Sequence, residues 1–163
     1  MLIGLLSDTH DRLPAIEQAV ARLNAEGVDA VLHLGDFVSP FSLAPLKRLT
    51  APLYAVFGNN DGEKEGLSTI FAEQGWDIGN RPRTVILDGH RIALLHEPGP
   101  IDRYAVGDCS LIAYGHLHTR SEERRGETLI VNPGEGCGWV TGVAGFAVVD
   151  LSTGEVKFHD IDI

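Results

Sequence analysis

Short apolar runs at the start of the chain flank a segment with helical periodicity. Residues 2–6 and 30–34 are apolar runs too short for helices, and they predict buried strands. Between them, apolar residues recur at helical spacing over residues 13–23, with Pro14 in the first turn and Gly27 at the stop. This order of strand, helix and strand predicts a right-handed parallel βαβ unit.

The same alternation continues to about residue 74. Ser39 and Pro40 predict the start of a second helix that runs to about residue 49. Residues 53–57 form a third apolar run and predict a strand, and residues 63–74 predict a third helix with a weaker pattern. The first half of the chain is therefore predicted to be α/β.

The second half has the pattern of strands joined by turns. Residues 84–87 and 91–95 flank Asp88-Gly89 and predict a β-hairpin with a tight turn. Further strands are predicted over residues 111–114, 128–131 and 145–151, with an edge strand over residues 156–159. Because no linker, repeat or low-complexity stretch interrupts the pattern, residues 1–163 are predicted to form a single domain.

Composition and charge narrow the classes of partner. The chain has 163 residues, 44% of them hydrophobic, which is enough for a core without disulfides or structural metals. A formal net charge of −10 makes long nucleic acids poor partners, whereas a small phosphorylated substrate stays open because bound cations reverse the sign locally. No apolar run approaches the roughly 20 residues of a membrane span, so no membrane partner is expected. Cys109 and Cys137 form no C-x-x-C pair, and the apolar N-terminus is short for a signal sequence, which predicts a cytoplasmic location.

Polar side chains follow five of the predicted strands directly. They are Asp8, His10, Asp36, Asn59, His96, His116 and His118. Because sites in open α/β sheets form outside the carboxyl ends of strands, we expect these residues to converge. Asp8 and His10 are two residues apart, as are His116 and His118, which places each pair on one side of an extended segment.

These residue types indicate divalent metal ions. Carboxylates, imidazoles and an amide suit borderline to hard cations such as manganese, iron, zinc, cobalt or nickel. Two carboxylates, one amide and four imidazoles are too many for one ion and about right for two ions that share a carboxylate. Two ions roughly 3.5–4 Å apart polarise a phosphorus centre and generate a bridging hydroxide that attacks it in line. The chain lacks a G-x-S-x-G motif, which disfavours acyl transfer, and a metal-dependent phosphoesterase is predicted.

The same segments resemble, in order, the five sequence blocks of the calcineurin-like metallophosphoesterase superfamily. The blocks are Asp8-Thr9-His10, Gly35-Asp36, Gly58-Asn59-Asn60-Asp61, His96 and Gly115-His116-Leu117-His118. The short length and the closing Asn132-Pro133-Gly134 resemble the small prokaryotic phosphodiesterase branch of that superfamily. The resemblance implies an α/β fold that is a four-layer α/β/β/α sandwich of two mixed β-sheets flanked by helices.

The resemblance also implies a role for each matching residue. One metal ion would be held by Asp8, His10, Asp36 and His118, and the other by Asp36 (shared), Asn59, His96 and His116. Manganese is the expected metal, with nickel, zinc, iron and cobalt as alternatives. Asn60 stands where many members carry a His that is thought to protonate the leaving group, and an amide donates a hydrogen bond but no proton. Asn60 and, through the metals, Asp36 are the predicted catalytic residues, and phosphodiesters are the predicted substrates.

Several residues beyond the seven predicted ligands are candidates for further roles. Arg12 is a candidate substrate contact beside Asn60, with a solvated side chain as the alternative. Asp61 either orients a metal ligand from behind or makes a turn. Glu97 stands where glycine is common in the family, and it either narrows the rim or changes substrate access. Residues 134–139 are a candidate substrate loop, and three further histidines are left outside the site: His33, His90 and His159.

Two other functions stay open at this point. A phosphomonoesterase or nucleotidase would differ from a phosphodiesterase in the ratio of its activities on aryl monoesters and diesters. A non-enzymatic protein-binding scaffold of the same fold, as in a retromer subunit, is disfavoured because scaffold members tend to lose metal ligands. None of the seven ligands is missing here. A homodimer is the working hypothesis for the oligomeric state.

Overall fold

Two β-sheets form the centre of the protein in a computed structural model that describes residues 1–104 and 107–162. The strands are β1 (Leu2–Leu6), β2 (Ala30–His33), β3 (Leu53–Val56), β4 (Asp77–Gly79), β5 (Arg83–Leu87), β6 (His90–Leu94), β7 (Leu111–Ala113), β8 (Ser121–Arg125), β9 (Thr128–Asn132), β10 (Ala144–Asp150) and β11 (Glu155–Ile161). The α-helices are α1 (Leu13–Glu26), α2 (Lys64–Glu73) and α3 (Ile101–Tyr104).

Both sheets are mixed. The six-stranded sheet has the order β11-β10-β1-β2-β3-β4. Strands β1 to β4 are parallel, and β10 pairs antiparallel with both β1 and β11. The five-stranded sheet has the order β5-β6-β7-β9-β8, with β6, β7 and β9 parallel and an antiparallel strand at each edge. The predicted βαβ unit is present as β1-α1-β2, and the predicted fold class is confirmed.

Three apolar clusters define the four layers. The cluster between the sheets contains residues of both, among them Leu5 and Leu32 from the first and Leu94 and Val131 from the second. Helices α1 and α2 and the chain between β2 and β3 pack on the outer face of the first sheet. On the outer face of the second sheet, the described residues form a small cluster that is covered by the one-turn helix α3. The fourth layer is therefore thin.

Local signals predicted most element boundaries well. Helix α1 ends at Gly27 in the left-handed region, at φ 66°, which a residue without Cβ adopts freely. Asp88 and Gly89 have φ values of 48° and 79° and form the tight turn between β5 and β6. In the described part of the chain, no helix has both the length and the apolar composition needed to cross a bilayer.

The prediction of a helix over residues 39–49 is wrong. Two short 3-10 helices, Pro40–Leu43 and Pro45–Arg48, occupy this stretch. Pro45 has no backbone N–H, and its ring would clash with the carbonyl of residue 41 in a continuous α-helix. The Ala44 N–H instead donates to the Phe41 carbonyl at 3.1 Å, which closes the tighter turn.

Two strands escaped the sequence prediction. The strand β8 is the exposed edge arm of the hairpin that it forms with β9. Four of its five residues are exposed, so it carries no apolar alternation. The strand β4 has only three residues, none of them buried. Edge strands of this kind leave little hydrophobic pattern in a sequence.

Candidate metal centre

All seven predicted ligands lie together at the carboxyl ends of parallel strands from both sheets. They follow β1 (Asp8 and His10), β2 (Asp36), β3 (Asn59), β6 (His96) and β7 (His116 and His118). The two sheets pack face to face, so the loops that follow their strands meet at one edge of the sandwich.

One group of donor atoms lies at the ends of β1, β2 and β7. His10 Nε2 is 3.5 Å from Asp36 Oδ2, and His118 Nε2 is 3.4 Å from Asp8 Oδ1. His10 Nε2 lies a further 3.9 Å from Asp8 Oδ1. These are the four residues predicted for one metal ion.

A second group lies on the other side of Asp36. Asn59 Oδ1 is 2.8 Å from His96 Nε2 and 2.9 Å from His116 Nδ1. His96 Nε2 is 3.5 Å from Asp36 Oδ1. Each carboxylate oxygen of Asp36 therefore faces a different group of donors, which is the arrangement that a shared ligand requires.

The donor atoms fit cations, because two of them have no hydrogen-bond partner. Among the described residues, three buried side-chain polar atoms lack a hydrogen bond, and two of these are Asp8 Oδ1 and His10 Nε2. Such atoms are costly to bury unsatisfied. His96 Nδ1 lies 2.7 Å from the Leu34 carbonyl and must donate to it, so in the neutral ring Nε2 presents a lone pair to Asn59 Oδ1. Two acceptors aimed at one point fit a cation between them.

Electrostatics in the centre differ between the two carboxylates. Burial opposes the ionisation of Asp36, but His96 and the Asn60 hydrogen bonds outweigh it and hold the pKa of the carboxyl well below its usual range. Burial dominates at Asp8 and raises the pKa of that carboxyl. Asp36 is therefore ionised at any physiological pH, and a nearby cation would favour the ionised form of Asp8.

The backbone at the centre is held in a strained conformation. Five of the seven predicted ligands have positive φ values: Asp8 at 51°, His10 at 39°, Asp36 at 60°, His116 at 67° and His118 at 57°. A non-glycine residue in this region costs of order 1–3 kcal/mol where the surrounding structure enforces it. Such strain is typical of functional sites, and here it turns the ligand side chains inward from successive loops.

Glycines precede the ligands because the loops approach each other closely. A Cβ atom on Gly58 would overlap both Oδ1 and the backbone nitrogen of Asp36. A Cβ atom on Gly115 would overlap Ser7 Oγ and lie 2.7 Å from Asp8 Oδ2. The glycines in the Gly58-Asn59 and Gly115-His116 pairs are therefore required by packing.

Asn60 and Asp61 both act on Asp36. The backbone N–H of Asn60 donates to Asp36 Oδ1 at 2.8 Å, and its side-chain Nδ2 donates to Oδ2 at 2.7 Å. The buried carboxylate of Asp61 accepts from the backbone N–H groups of Asp36 (3.0 Å), Gly58 (2.6 Å) and Val38 (2.8 Å). These bonds tie the β2 loop to the β3 loop, which favours the positioning role of Asp61 over a simple turn.

Arg12 faces the segment that follows β9. Its guanidinium donates to the Cys137 carbonyl and lies 4.4 Å from the ring centroid of Trp139. The side chain is therefore fixed by protein groups, which differs from the freely solvated alternative. A direct contact between Arg12 and substrate stays a prediction.

Glu97 is part of the wall beside His96. It forms a bidentate pair with Arg81, at 2.6 Å and 2.7 Å, and Arg81 Nη1 donates at 3.0 Å to the carbonyls of Phe57 and Gly58. The pair lines a cavity of about 320 Å³ that His96 also borders. Glu97 thus supports the loop that carries Asn59, a contribution that its sequence position did not indicate.

Glu135 is a site residue that the sequence analysis did not single out. Its buried carboxylate lies 2.7 Å from His118 Nδ1, so Nδ1 donates and Nε2 is free to bind a cation. Burial opposes its ionisation, but hydrogen bonds from Thr141, His118 and Val140 lower the pKa of Glu135 to about 2. A metal-ligating His usually has such a partner. The available signal was a lone acidic residue just after the end of β9.

Cys137 lies close to the same group without belonging to it. Its sulfur and donor atoms of His10 and His118 lie within 4.8 Å of one another. The Sγ contacts Glu135 Oε2 at 3.2 Å, and burial raises the pKa of the thiol to about 12. A thiol is a softer donor than a carboxylate or an imidazole, so it suits a hard cation less well than its neighbours do.

We expect Glu135→Gln to weaken manganese binding by about 10- to 100-fold at the group of donors to which His118 belongs. The substitution keeps the size of the side chain but removes the charge that orients His118. Titration calorimetry with Mn²⁺ measures the effect. Glu122→Gln, an exposed change on β8, is the matched control. Equal affinities in the two variants would contradict the role given to Glu135.

The remaining histidines contact residues that are not predicted metal ligands. His33 Nδ1 accepts from the Gly35 N–H at 3.2 Å, and Nε2 lies 3.1 Å from Thr9 Oγ1. Burial lowers the pKa of His33 well below its usual value. His90 Nδ1 contacts a serine hydroxyl at 3.2 Å, and His159 stacks on a phenylalanine ring.

The similarity to known proteins covers nearly the whole chain and not only the segments that carry the predicted ligands. A sequence model described as the calcineurin-like phosphoesterase superfamily domain matches residues 1–154. Phosphodiesterase MJ0936 of Methanocaldococcus jannaschii is 37% identical over 166 residues, covering 96% of this chain and 97% of the relative. Phosphodiesterase YfcE of Escherichia coli (strain K12) is 29% identical over 149 residues, covering 82% of this chain and 78% of the relative. A solved archaeal phosphodiesterase superposes with a TM-score of 0.93 at 33% identity, covering 99% of this chain and all of that structure.

Proposed function

The chain belongs to the calcineurin-like phosphoesterase superfamily, and on that premise we propose that it is a phosphodiesterase that works with two divalent metal ions. The proposal of two ions rests on the position of Asp36, whose two carboxylate oxygens face two separate groups of donors. Two phosphodiesterase relatives that match over most of their own lengths support the reaction class.

When bound, the ions would supply Lewis acidity toward the phosphoryl oxygens and a lowered pKa for a coordinated water. The chain holds its donors in place before any ion arrives. His96 is oriented by the Leu34 carbonyl, His118 by Glu135, and the Asp36 backbone by Asp61. Ligands held in this way do not have to reorganise during the reaction, which is the main source of electrostatic catalysis.

Asn60 determines which esters the site hydrolyses. Its amide hydrogen-bonds Asp36, lies at the rim of the centre and carries no proton that it could transfer. A poor leaving group needs a proton as its bond to phosphorus breaks, whereas an aryl oxide does not. We therefore infer that diesters with good leaving groups are preferred and that simple monoesters are poor substrates.

Several finer points belong to the same proposal. We infer manganese as the metal, because the donors are carboxylate, imidazole and amide groups; nickel, zinc, iron and cobalt stay open. A phosphomonoesterase is disfavoured by Asn60, and a non-catalytic scaffold by the complete set of seven ligands. A small phosphorylated substrate, a cytoplasmic location and a homodimer stay predictions.

We expect metal-stripped protein reconstituted with Mn²⁺ to hydrolyse bis-p-nitrophenyl phosphate at least 10-fold faster than p-nitrophenyl phosphate. The Asn60→His variant should raise the relative monoesterase activity by about 10²-fold, since a positioned general acid contributes 10²- to 10⁴-fold. Steady-state assays of both esters, with and without metal, measure these ratios.

Asn60→Gln is the matched control, because it enlarges the side chain without adding an acid. If neither ester is hydrolysed with any divalent metal, the phosphodiesterase proposal fails. If Asn60→Gln and Asn60→His change the ratio equally, the link between Asn60 and ester preference fails.

A further inference from the structure

We propose that Trp139 is a stacking platform for a planar aromatic group of the substrate, so that the natural diester carries a nucleobase or a similar ring. The inference rests on the proposed function and adds a substrate class to it. It follows from the position, the fixation and the exposure of one side chain.

Trp139 lies directly beside the metal centre. Its indole Nε1 donates to the backbone carbonyl of His10 at 3.4 Å. The imidazole of His10 faces the carboxylates of Asp8 and Asp36. An ester group attached to a phosphate in the centre therefore lies within reach of the indole ring.

The ring is fixed in place from several sides. The Arg12 guanidinium covers one face at 4.4 Å from the ring centroid and donates to the Cys137 carbonyl. On the other side of the segment, Glu135 accepts from the backbone N–H groups of Val140 and Thr141. The same carboxylate orients His118, so the segment that carries the ring is tied to a predicted metal ligand.

The ring is nevertheless open to solvent. Trp139 is 63% exposed although Arg12 covers one face, which leaves the opposite face free. Two further apolar side chains at the same rim are exposed: Val140 at 73%, and Leu117, which lies between the two ligands of the β7 loop, at 51%. A rigid aromatic face costs little entropy when a flat group stacks on it, and bases stack on aromatic side chains without sequence preference.

The charge around the ring suits the rest of such a substrate. The chain has a net charge of −10, yet the Arg12 guanidinium places a cation directly against the indole ring of Trp139. A nucleoside phosphodiester offers a flat ring and an anion side by side. That combination matches an indole face next to a guanidinium better than an aliphatic ester does.

Two esters with the same leaving group test the inference. They are thymidine 5′-(p-nitrophenyl phosphate) and ethyl p-nitrophenyl phosphate, which differ in the group that stays on phosphorus. We expect Trp139→Ala to lower the ratio of kcat/KM for the thymidine ester to that for the ethyl ester by about 10-fold or more, and Trp139→Phe to restore much of it. Ile86→Ala, a change of a 71% exposed residue on β5, should leave the ratio unchanged.

Fluorescence gives a readout that does not depend on turnover. The chain has two tryptophans, and in Trp76→Phe the only indole is that of Trp139. We expect thymidine 5′-monophosphate to quench this variant and ethyl phosphate to leave its emission nearly unchanged. Quenching without hydrolysis of either ester would support the platform while the proposed function fails.

Three results would overturn the platform. One is an equal loss of kcat/KM for both esters in Trp139→Ala, which would mean that the ring only supports the loop. Another is equal fluorescence of the Trp76→Phe variant in thymidine 5′-monophosphate and in ethyl phosphate. The third is conversion of a dimer to a monomer by Trp139→Ala in light scattering, which would make the ring part of an interface between two copies of the chain.

Discussion

Asp36→Asn is expected to lower kcat/KM for bis-p-nitrophenyl phosphate by about 10³-fold, equivalent to ~4 kcal/mol of transition-state stabilisation. The carboxylate lies between the two groups of donors, with His10 at 3.5 Å from one oxygen and His96 at 3.5 Å from the other. An amide of the same shape offers one neutral oxygen instead of two charged ones. Metal analysis of the dialysed variant should find fewer than two ions per chain.

Asp11→Asn is the matched control for this change. Asp11 lies three residues after Asp8 in the same loop, and its carboxylate accepts from the backbone N–H and the hydroxyl of Ser39. It faces none of the predicted ligands. If Asp36→Asn retains more than a tenth of the activity of Asp11→Asn, Asp36 is not the shared ligand.

Gly58→Ala should lower the activity by about 10²-fold, although glycine binds no metal. The added Cβ would overlap the Asp36 backbone nitrogen, which is part of the main chain, and Asp36 Oδ1, which accepts a hydrogen bond from the Asn60 N–H. Relief of the overlap must move Asp36 away from its donors, and misplacement by about 1 Å costs 10²-fold in rate. Overpacking adds about 1–3 kcal/mol of destabilisation. Steady-state kinetics and thermal unfolding measure the two effects.

Gly62→Ala provides a control four residues away in the chain. A Cβ at that position meets nothing within 4 Å, and its backbone is outside the left-handed region. This variant should keep the activity and the melting temperature of the natural chain. An active Gly58→Ala protein would show that the loops after β2 and β3 are not packed as closely as the structure has them.

The sequence predicted those parts of the fold that local chemistry determines. The βαβ unit follows from a helical period between two apolar runs, and the β5-β6 hairpin from Asp88-Gly89. Residues 39–49 were mispredicted because the helix-starting signal at Pro40 was followed without allowance for Pro45. The four layers could not follow from periodicity, since the pairing of one sheet with another is non-local.

The candidate site was predictable for a different reason. Residue type and position at strand ends indicated the seven candidate ligands that the structure brings together, because the sheet topology brings strand ends together whatever the chain between them does. Glu135 was not predictable in the same way. Its partner His118 is 17 residues away, and only the packed loop brings its carboxylate within 2.7 Å of the ring. The support that Arg81 and Glu97 give to the β3 loop depends equally on tertiary contacts.

Titration of metal-free protein with Mn²⁺, followed by metal analysis, electron paramagnetic resonance and hydrolysis of bis-p-nitrophenyl phosphate on the same samples, tests the central claim most directly. We predict two ions per chain, and a spin-coupled dimanganese spectrum that grows in step with phosphodiesterase activity as the second ion binds. Full activity with one ion per chain, or two ions without magnetic coupling, would contradict a centre in which Asp36 joins two metal sites.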